Sequence, residues 1–152
     1  MLVVLRLVGY NLGMRSNPRP LSNGKGTVIR EAGARPKSHE YMTAEALADS
    51  GYNVKFIPSS KVLGMADCYI NNTIYEIKAP EGRTIDCIER NLRKAVDHQS
   101  SNVVIDSFRV KNLQDRSIQS HLIERLRFGH GLQRILFVNR RRNVIDINAL
   151  LG

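Results

Sequence analysis

In the run Thr73-Ile74-Tyr75-Glu76-Ile77-Lys78-Ala79, β-branched and aromatic residues fall in a period of two, the signature of a strand. Alternation puts Ile74, Glu76 and Lys78 on one face and Tyr75, Ile77 and Ala79 on the other. A carboxylate and an ammonium thus share a face, about 7 Å apart along the backbone. The strand looks central to a sheet, where a buried unpaired charge is heavily penalised, so the two need partners or a ligand. The bland alternative is a solvated ion pair on an edge strand, which contributes little.

Asp67 favours the ligand. It interrupts the apolar run Leu63-Gly64-Met65-Ala66-Asp67-Cys68-Tyr69-Ile70, and Asn71-Asn72 reads as a tight turn that returns the chain beside Glu76. Two carboxylates and a lysine can then converge. Phosphodiester hydrolysis asks for that set: carboxylates for Mg²⁺, a metal that polarises phosphate and acidifies water, and a cation near the developing charge.

Around this motif the predicted elements follow one order. Residues 38–51 read as a helix opened by Ser38, with Tyr41, Ala44, Leu47 and Ala48 on one stripe and Gly51 as its stop. Residues 53–57, 65–70 and 73–79 read as a three-strand meander. Thr84 opens a second helix on Ile85, Ile88, Leu92, Ala95 and Val96, and residues 102–105 form a buried strand. A helix over 118–128 and strands over 134–138 and 143–147, joined by Asn139-Arg140-Arg141-Arg142, complete the chain. The fold class is α/β or α+β, with a mixed central sheet flanked by helices.

Residues 11–38 are rich in Gly, Pro, Ser, Asn and Arg without a period, so residues 1–37 are taken as a lead-in and linker and 38–152 as the functional domain. Gly24-Lys25-Gly26-Thr27 lacks both the earlier Gly and the Ser or Thr after Lys that a phosphate-binding loop needs. The apolar opening, residues 1–8, is interrupted by Arg6 and fits neither a signal peptide nor a membrane span; a strand or a partner-facing segment is expected. Cys68 and Cys87, with no CxxC spacing, suit reduced core positions better than a zinc site.

The 23 Lys and Arg against 14 Asp and Glu give a net charge of +9, which favours a polyanionic partner, nucleic acid first. Arg90, Arg93 and Lys94 on the second helix and Arg140 to Arg142 at the loop tip are candidate phosphate contacts, or solvated charges. His98, His121 and His130 show no metal-pair spacing and read as surface or linker histidines.

Asp67 followed at a distance by Glu76-Ile77-Lys78 resembles the D-x(n)-E-x-K signature of the PD-(D/E)XK nucleases, although Ala66 stands where that motif has Pro. The superfamily's restriction-endonuclease-like core, αβββαβ, has the order predicted here. A closer resemblance spans residues 40–106: the helix pattern from Glu40 to Val54, then Ala66-Asp67, then Tyr75-Glu76-Ile77-Lys78-Ala79-Pro80, then a helix ending at Gln99 before Asn102-Val103-Val104-Ile105-Asp106. This stretch is similar to the C-terminal tRNase toxin domains of bacterial contact-dependent growth-inhibition proteins. The resemblance implies Asp67, Glu76 and Lys78 as the catalytic core, Glu40 as an accessory acid and Gln99 as a polar residue facing the site. Asp67, Glu76 and Glu40 become metal ligands, for Mg²⁺ or for Mn²⁺ or another divalent ion. Glu45 competes with Glu40, and Gln99 also suits a helix C-terminal cap.

The expected function is a metal-dependent endonuclease toxin hydrolysing RNA, tRNA foremost. Such a domain is delivered within a larger toxin, acts in the target bacterium's cytoplasm and is neutralised by a cognate, acidic immunity protein. A PD-(D/E)XK DNA endonuclease is the alternative within the same chemistry. A non-catalytic basic nucleic-acid-binding module, with Glu76 and Lys78 as an inert pair, is the alternative outside it.

Overall fold

The computed structural model describes residues 2–7 as a strand, together with residues 25–58, 68–98, 100–129 and 131–151. Asp67, Gln99 and His130 lie outside the described residues. Two compact units divide within one strand, the first ending at Tyr75 and the second beginning at Glu76.

In the first unit, β1 (Leu2–Leu7) pairs antiparallel with β2 (Thr27–Glu31), and β2 runs parallel to β3 (Val54–Phe56). The crossover between β2 and β3 is α1 (Ser38–Asp49), which packs on both strands and buries Ala44, Leu47 and Ala48. Tyr41 on α1 meets Phe56 edge to face at 5.3 Å. Lys37 rather than Ser38 is the N-cap, and Gly51, at φ 97, takes the left-handed position that ends the helix. Then β4 (Cys68–Ile70) and β5 (Thr73–Lys78) complete the antiparallel meander expected from the sequence. Asn71 and Asn72 hold φ 47 and 72, the paired positive values of a type I′ hairpin turn.

Residues 27–31, read from sequence as linker, form a strand. Its partners explain the difference: the short run has no amphipathic period of its own and is held by tertiary contacts. Gly26 lies so close to the chain that a Cβ would stand 1.9 Å from the Tyr52 carbonyl oxygen. The buried Asn53 Oδ1 accepts from Thr27 N (3.2 Å) and Oγ1 (3.0 Å), and Asn53 N donates to Asn71 Oδ1 (2.8 Å). This amide chain fixes β2, β3 and the hairpin turn to one another.

In the second unit, residues 76–78 of β5 run parallel to β6 (Asn102–Asp106), β6 runs parallel to β7 (Arg134–Val138), and β7 pairs antiparallel with β8 (Val144–Asp146). Parallel neighbours need crossovers, and α2 (Ile85–Asp97) and α3 (Asp115–Phe128) supply them. Cys87, Ile88, Leu92 and Ala95 of α2 and Ile118 and Leu122 of α3 form one core with Val103, Ile105, Ile135 and Phe137, closed by Ile147 of a 3-10 turn, Ile147–Leu150. Full burial of each large aliphatic or Phe side chain in such a core is worth about 1.5–3 kcal/mol. Thr84 occupies the N-cap of α2, as the sequence suggests, but without a side-chain cap bond. Cys68 and Cys87 are buried thiols. Among the described residues no helix is long and apolar enough to cross a membrane. The chain thus has a mixed α+β fold, and helix, three strands, helix and strand follow one another from α1 to β6 as the sequence predicts.

Candidate active site

The β5–β6 register sets the site. Glu76 stands opposite Val103 and Lys78 opposite Ile105, so both charges rise from a strand bonded in parallel to an apolar neighbour. Glu76 is only 6% exposed. Lys78 Nζ lies 3.1 Å from Glu76 Oε1. The same oxygen lies 3.2 Å from His98 Nδ1. A carboxylate can only accept, so this contact is a hydrogen bond when Nδ1 carries its proton, which leaves Nε2 available to another group. The other oxygen, Oε2, is buried and has no hydrogen-bond partner among the described residues. One side of the carboxylate is therefore compensated twice and the other is bare, a costly state for a buried acceptor.

His98 is the residue that sequence reasoning assigned to the surface. It caps the C-terminal end of α2, its N–H bonding Lys94 O at 3.0 Å, and its side chain is more than half exposed. Its neighbour Gln99 was expected to face the site from this helix end. That expectation was the available signal: two adjacent residues at a helix terminus that delivers one polar group can deliver another.

Glu40 belongs to the first unit. It is buried, and its Oε1 accepts from Lys37 N at 2.6 Å while its own N–H donates to Lys37 O at 3.0 Å, tying the first turn of α1. Glu45, its competitor, is exposed. Among the described residues no group of three or more His, Cys, Asp or Glu is placed to hold a metal ion; Asp67 and Gln99 are not among them. Glu76 Oε2 suits a cation on its own chemistry, a buried hard oxygen lacking a donor.

The strand end beyond Lys78 is braced. Arg109 Nε and Nη2 donate to Ala79 O at 3.0 and 2.6 Å, and its Nη1 pairs Glu81 at 2.7 Å. At the end of β6, the fully buried Asp106 accepts from Arg142 Nη1 (2.7 Å) and Nη2 (2.9 Å), a bidentate pair, and Arg142 also lies over the Phe108 ring. Arg140 donates to Leu113 O and Val110 O, each at 2.6 Å, and approaches Asp115 Oδ1 at 3.4 Å. Two arginines of the loop tip therefore turn toward the protein. On α2, Arg93 pairs Glu89 at 3.1 Å, and Glu89 also accepts from His121 and Arg125 of α3 at 2.9 and 2.8 Å. Burial pushes the Glu89 carboxyl up, but His121, Arg125 and Arg93 together outweigh it and hold the pKa below its ordinary value.

Fold and site define a mixed α+β protein with a buried carboxylate, a lysine and a histidine gathered at one parallel strand. The chain belongs to the contact-dependent growth inhibition CdiA C-terminal domain family, whose profile matches residues 65–144. The expectation of a CdiA-type C-terminal toxin domain is borne out at that level. A CdiA-CT/CdiI toxin and immunity complex from Burkholderia pseudomallei contains a chain similar in fold, with a TM-score of 0.61 and 21% sequence identity over 71% of this chain and 80% of that chain. Comparison with curated protein sequences finds no match.

Proposed function

We propose that this chain is a metal-dependent endonuclease toxin that hydrolyses RNA phosphodiesters, tRNA foremost, using Asp67, Glu76 and Lys78 on a PD-(D/E)XK-like core. The carrying observation is the half-satisfied Glu76 carboxylate, with Lys78 and His98 on one oxygen and the buried second oxygen bare. An inert ion pair gives no reason for the bare oxygen, whereas a bound cation would satisfy it.

Glu76 would hold Mg²⁺, or Mn²⁺ in its place, with Asp67 and Glu40 as the further expected ligands; when bound, the ion supplies an acidified water and a polarised phosphate. Lys78 Nζ, fixed beside Glu76, places a positive charge where the phosphoryl oxygens gain negative charge as one P–O bond forms and another breaks. His98 fixes the Glu76 carboxylate by its Nδ1 hydrogen bond. Gln99, the next residue, is assigned a polar contact in the same site.

Family membership supports delivery of the domain within a larger toxin and action in the cytoplasm of a target bacterium. The toxin and immunity complex of the similar structure supports a cognate immunity protein for this chain too, an acidic one given the net charge of +9.

The test is cleavage of total tRNA, other RNA and duplex DNA by the purified protein with Mg²⁺ or with EDTA, alongside Glu76→Ala and Lys78→Ala. Metal-dependent cutting of tRNA, lost in both variants, is expected. Cutting of DNA alone would make the protein a DNA endonuclease. Binding without cleavage would leave a basic binding module, and cutting that survives EDTA and both substitutions would remove the site.

A further inference from the structure

Three connections leave the carboxyl ends of the parallel strands β5, β6 and β7, and residues of all three line one open groove of about 810 Å³. Arg83 comes from the β5–α2 connection, Lys111, Asn112 and Gln114 from the β6–α3 connection, and Arg140 from the β7–β8 turn. Carboxyl ends of parallel strands are where α/β sheets receive ligands, because the connecting loops gather there.

The groove is built rather than incidental. Lys111 N donates to Gly82 O at 2.9 Å and Gly82 bridges to Val110, which seams the first two walls together. Gly82, at φ +149, packs against the first turn of α2, where a Cβ would stand 2.7 Å from Cys87 Cβ. The third wall is joined by Arg140, whose guanidinium donates to the Val110 and Leu113 carbonyls.

Among the described residues, the lining carries three cations and no carboxylate. Asp115, just outside it, is shared by Arg140 and by Ser107 Oγ, 2.6 Å from Oδ1. Arg83 and Lys111 are exposed and make no ion pair or side-chain hydrogen bond among the described residues. Two uncommitted cations, two amide side chains and a concave wall suit an extended anion with hydrogen-bonding oxygens.

We infer that this groove grips the sugar–phosphate backbone of the nucleic-acid substrate, with Arg83 and Lys111 each on a phosphate and Asn112 and Gln114 on sugar or phosphate oxygens. It is a site apart from the Glu76 carboxylate and rests on the nuclease reading only for the identity of its ligand. It holds the strand and takes no part in the reaction.

Binding of fluorescent tRNA is followed by anisotropy in EDTA, where no metal-dependent turnover occurs, across a salt series. The proteins are the wild type, Arg83→Gln/Lys111→Gln and a charge-matched control, Arg35→Gln/Arg127→Gln, on exposed positions before α1 and on α3, with Glu76→Ala assayed for cleavage alone. The groove variant is expected to bind about tenfold more weakly and to lose about 1.4 to 1.8 from the slope of log K against log salt, the share of two phosphates. The control is expected to stay near the wild type. A groove variant with the wild-type slope, an equal loss in the control, or wild-type protein that does not bind tRNA overturns the inference. So does poly-glutamate competing as well as RNA, which would mark a surface for an acidic protein. Loss of binding in the groove variant with cleavage unaffected by Glu76→Ala would sink the catalytic assignment and leave the groove standing.

Discussion

His98 Nδ1 lies 3.2 Å from Glu76 Oε1, across 22 residues of sequence and the whole length of α2. The contact exists because α2 crosses from the end of β5 back to the start of β6, so its last turn returns to the strand it left. A ring that orients a metal-binding carboxylate acts through that carboxylate, and loss of such a partner typically costs about 10–100-fold in metal affinity or activity. His98→Ala is therefore expected to raise the Mg²⁺ concentration needed for half-maximal cleavage by that factor while leaving tRNA binding in EDTA unchanged. An unaltered metal dependence would make the contact a surface accident.

The Glu76–Lys78 pair should show the signature of a functional rather than a structural charge pair. Replacing a buried pair by apolar residues of similar volume is often neutral or stabilising by about 1–4 kcal/mol, whereas removing one partner strands the other. Glu76→Leu/Lys78→Met is expected to unfold at the wild-type urea midpoint or above it and to be catalytically dead. Lys78→Met alone should be destabilised, with His98 left as the compensation for Glu76. A double variant clearly less stable than either single one would assign the pair to the fold instead.

Arg142 combines a backbone at φ 64 with both hydrogen bonds to the buried Asp106. Lysine carries the charge but not the planar fork, so Arg142→Lys keeps one contact at most of the two. Breaking a buried pair costs about 3–5 kcal/mol, and the 32% exposure of the Arg142 side chain together with the bond from Phe108 N to Asp106 lowers the expectation to about 2 kcal/mol. Chemical denaturation of Arg142→Lys and Arg142→Ala measures it, and a change below about 0.5 kcal/mol in both would show that other partners suffice for Asp106.

The elements with strong local signals were legible in the sequence, and so was the Glu76–Lys78 face, because strand alternation dictates it without reference to any neighbour. Asn71-Asn72 announced its turn through the tolerance of Asn for positive φ. By contrast, β2 has no such signal: Thr27–Glu31 is defined by β1, β3 and the Asn53 amide, all remote in sequence. His98 was missed because single-residue spacing rules look for a second ligand nearby, whereas its partner is supplied by a crossover. The groove was equally hidden, since Arg83, Lys111 and Arg140 sit in three separate loops that only the parallel strand order brings together. The loop-tip run of arginines looked uniform in sequence, yet Arg140 and Arg142 are each committed to carbonyls or a carboxylate.

Glu89 joins α2 to α3 and gives the protein a pH-dependent component of stability. Its folded-state pKa is depressed below the usual 4.5, because the opposing groups, His121 and Arg125 from α3 and Arg93 from its own helix, favour the carboxylate more than burial disfavours it. A group with a depressed folded pKa binds fewer protons in the native state than in the unfolded one over the interval between the two values. Its stabilisation is thus fully present above about pH 4.5 and is lost as pH falls through the lower, folded value. Urea unfolding of the wild type and Glu89→Gln from about pH 7 down to about pH 2 should show the wild type ahead at neutral pH and the gap narrowing only on the acid side of 4.5. A gap that stays constant across the whole range would mean that the α2–α3 contact depends on the shape of the side chain and not on its charge.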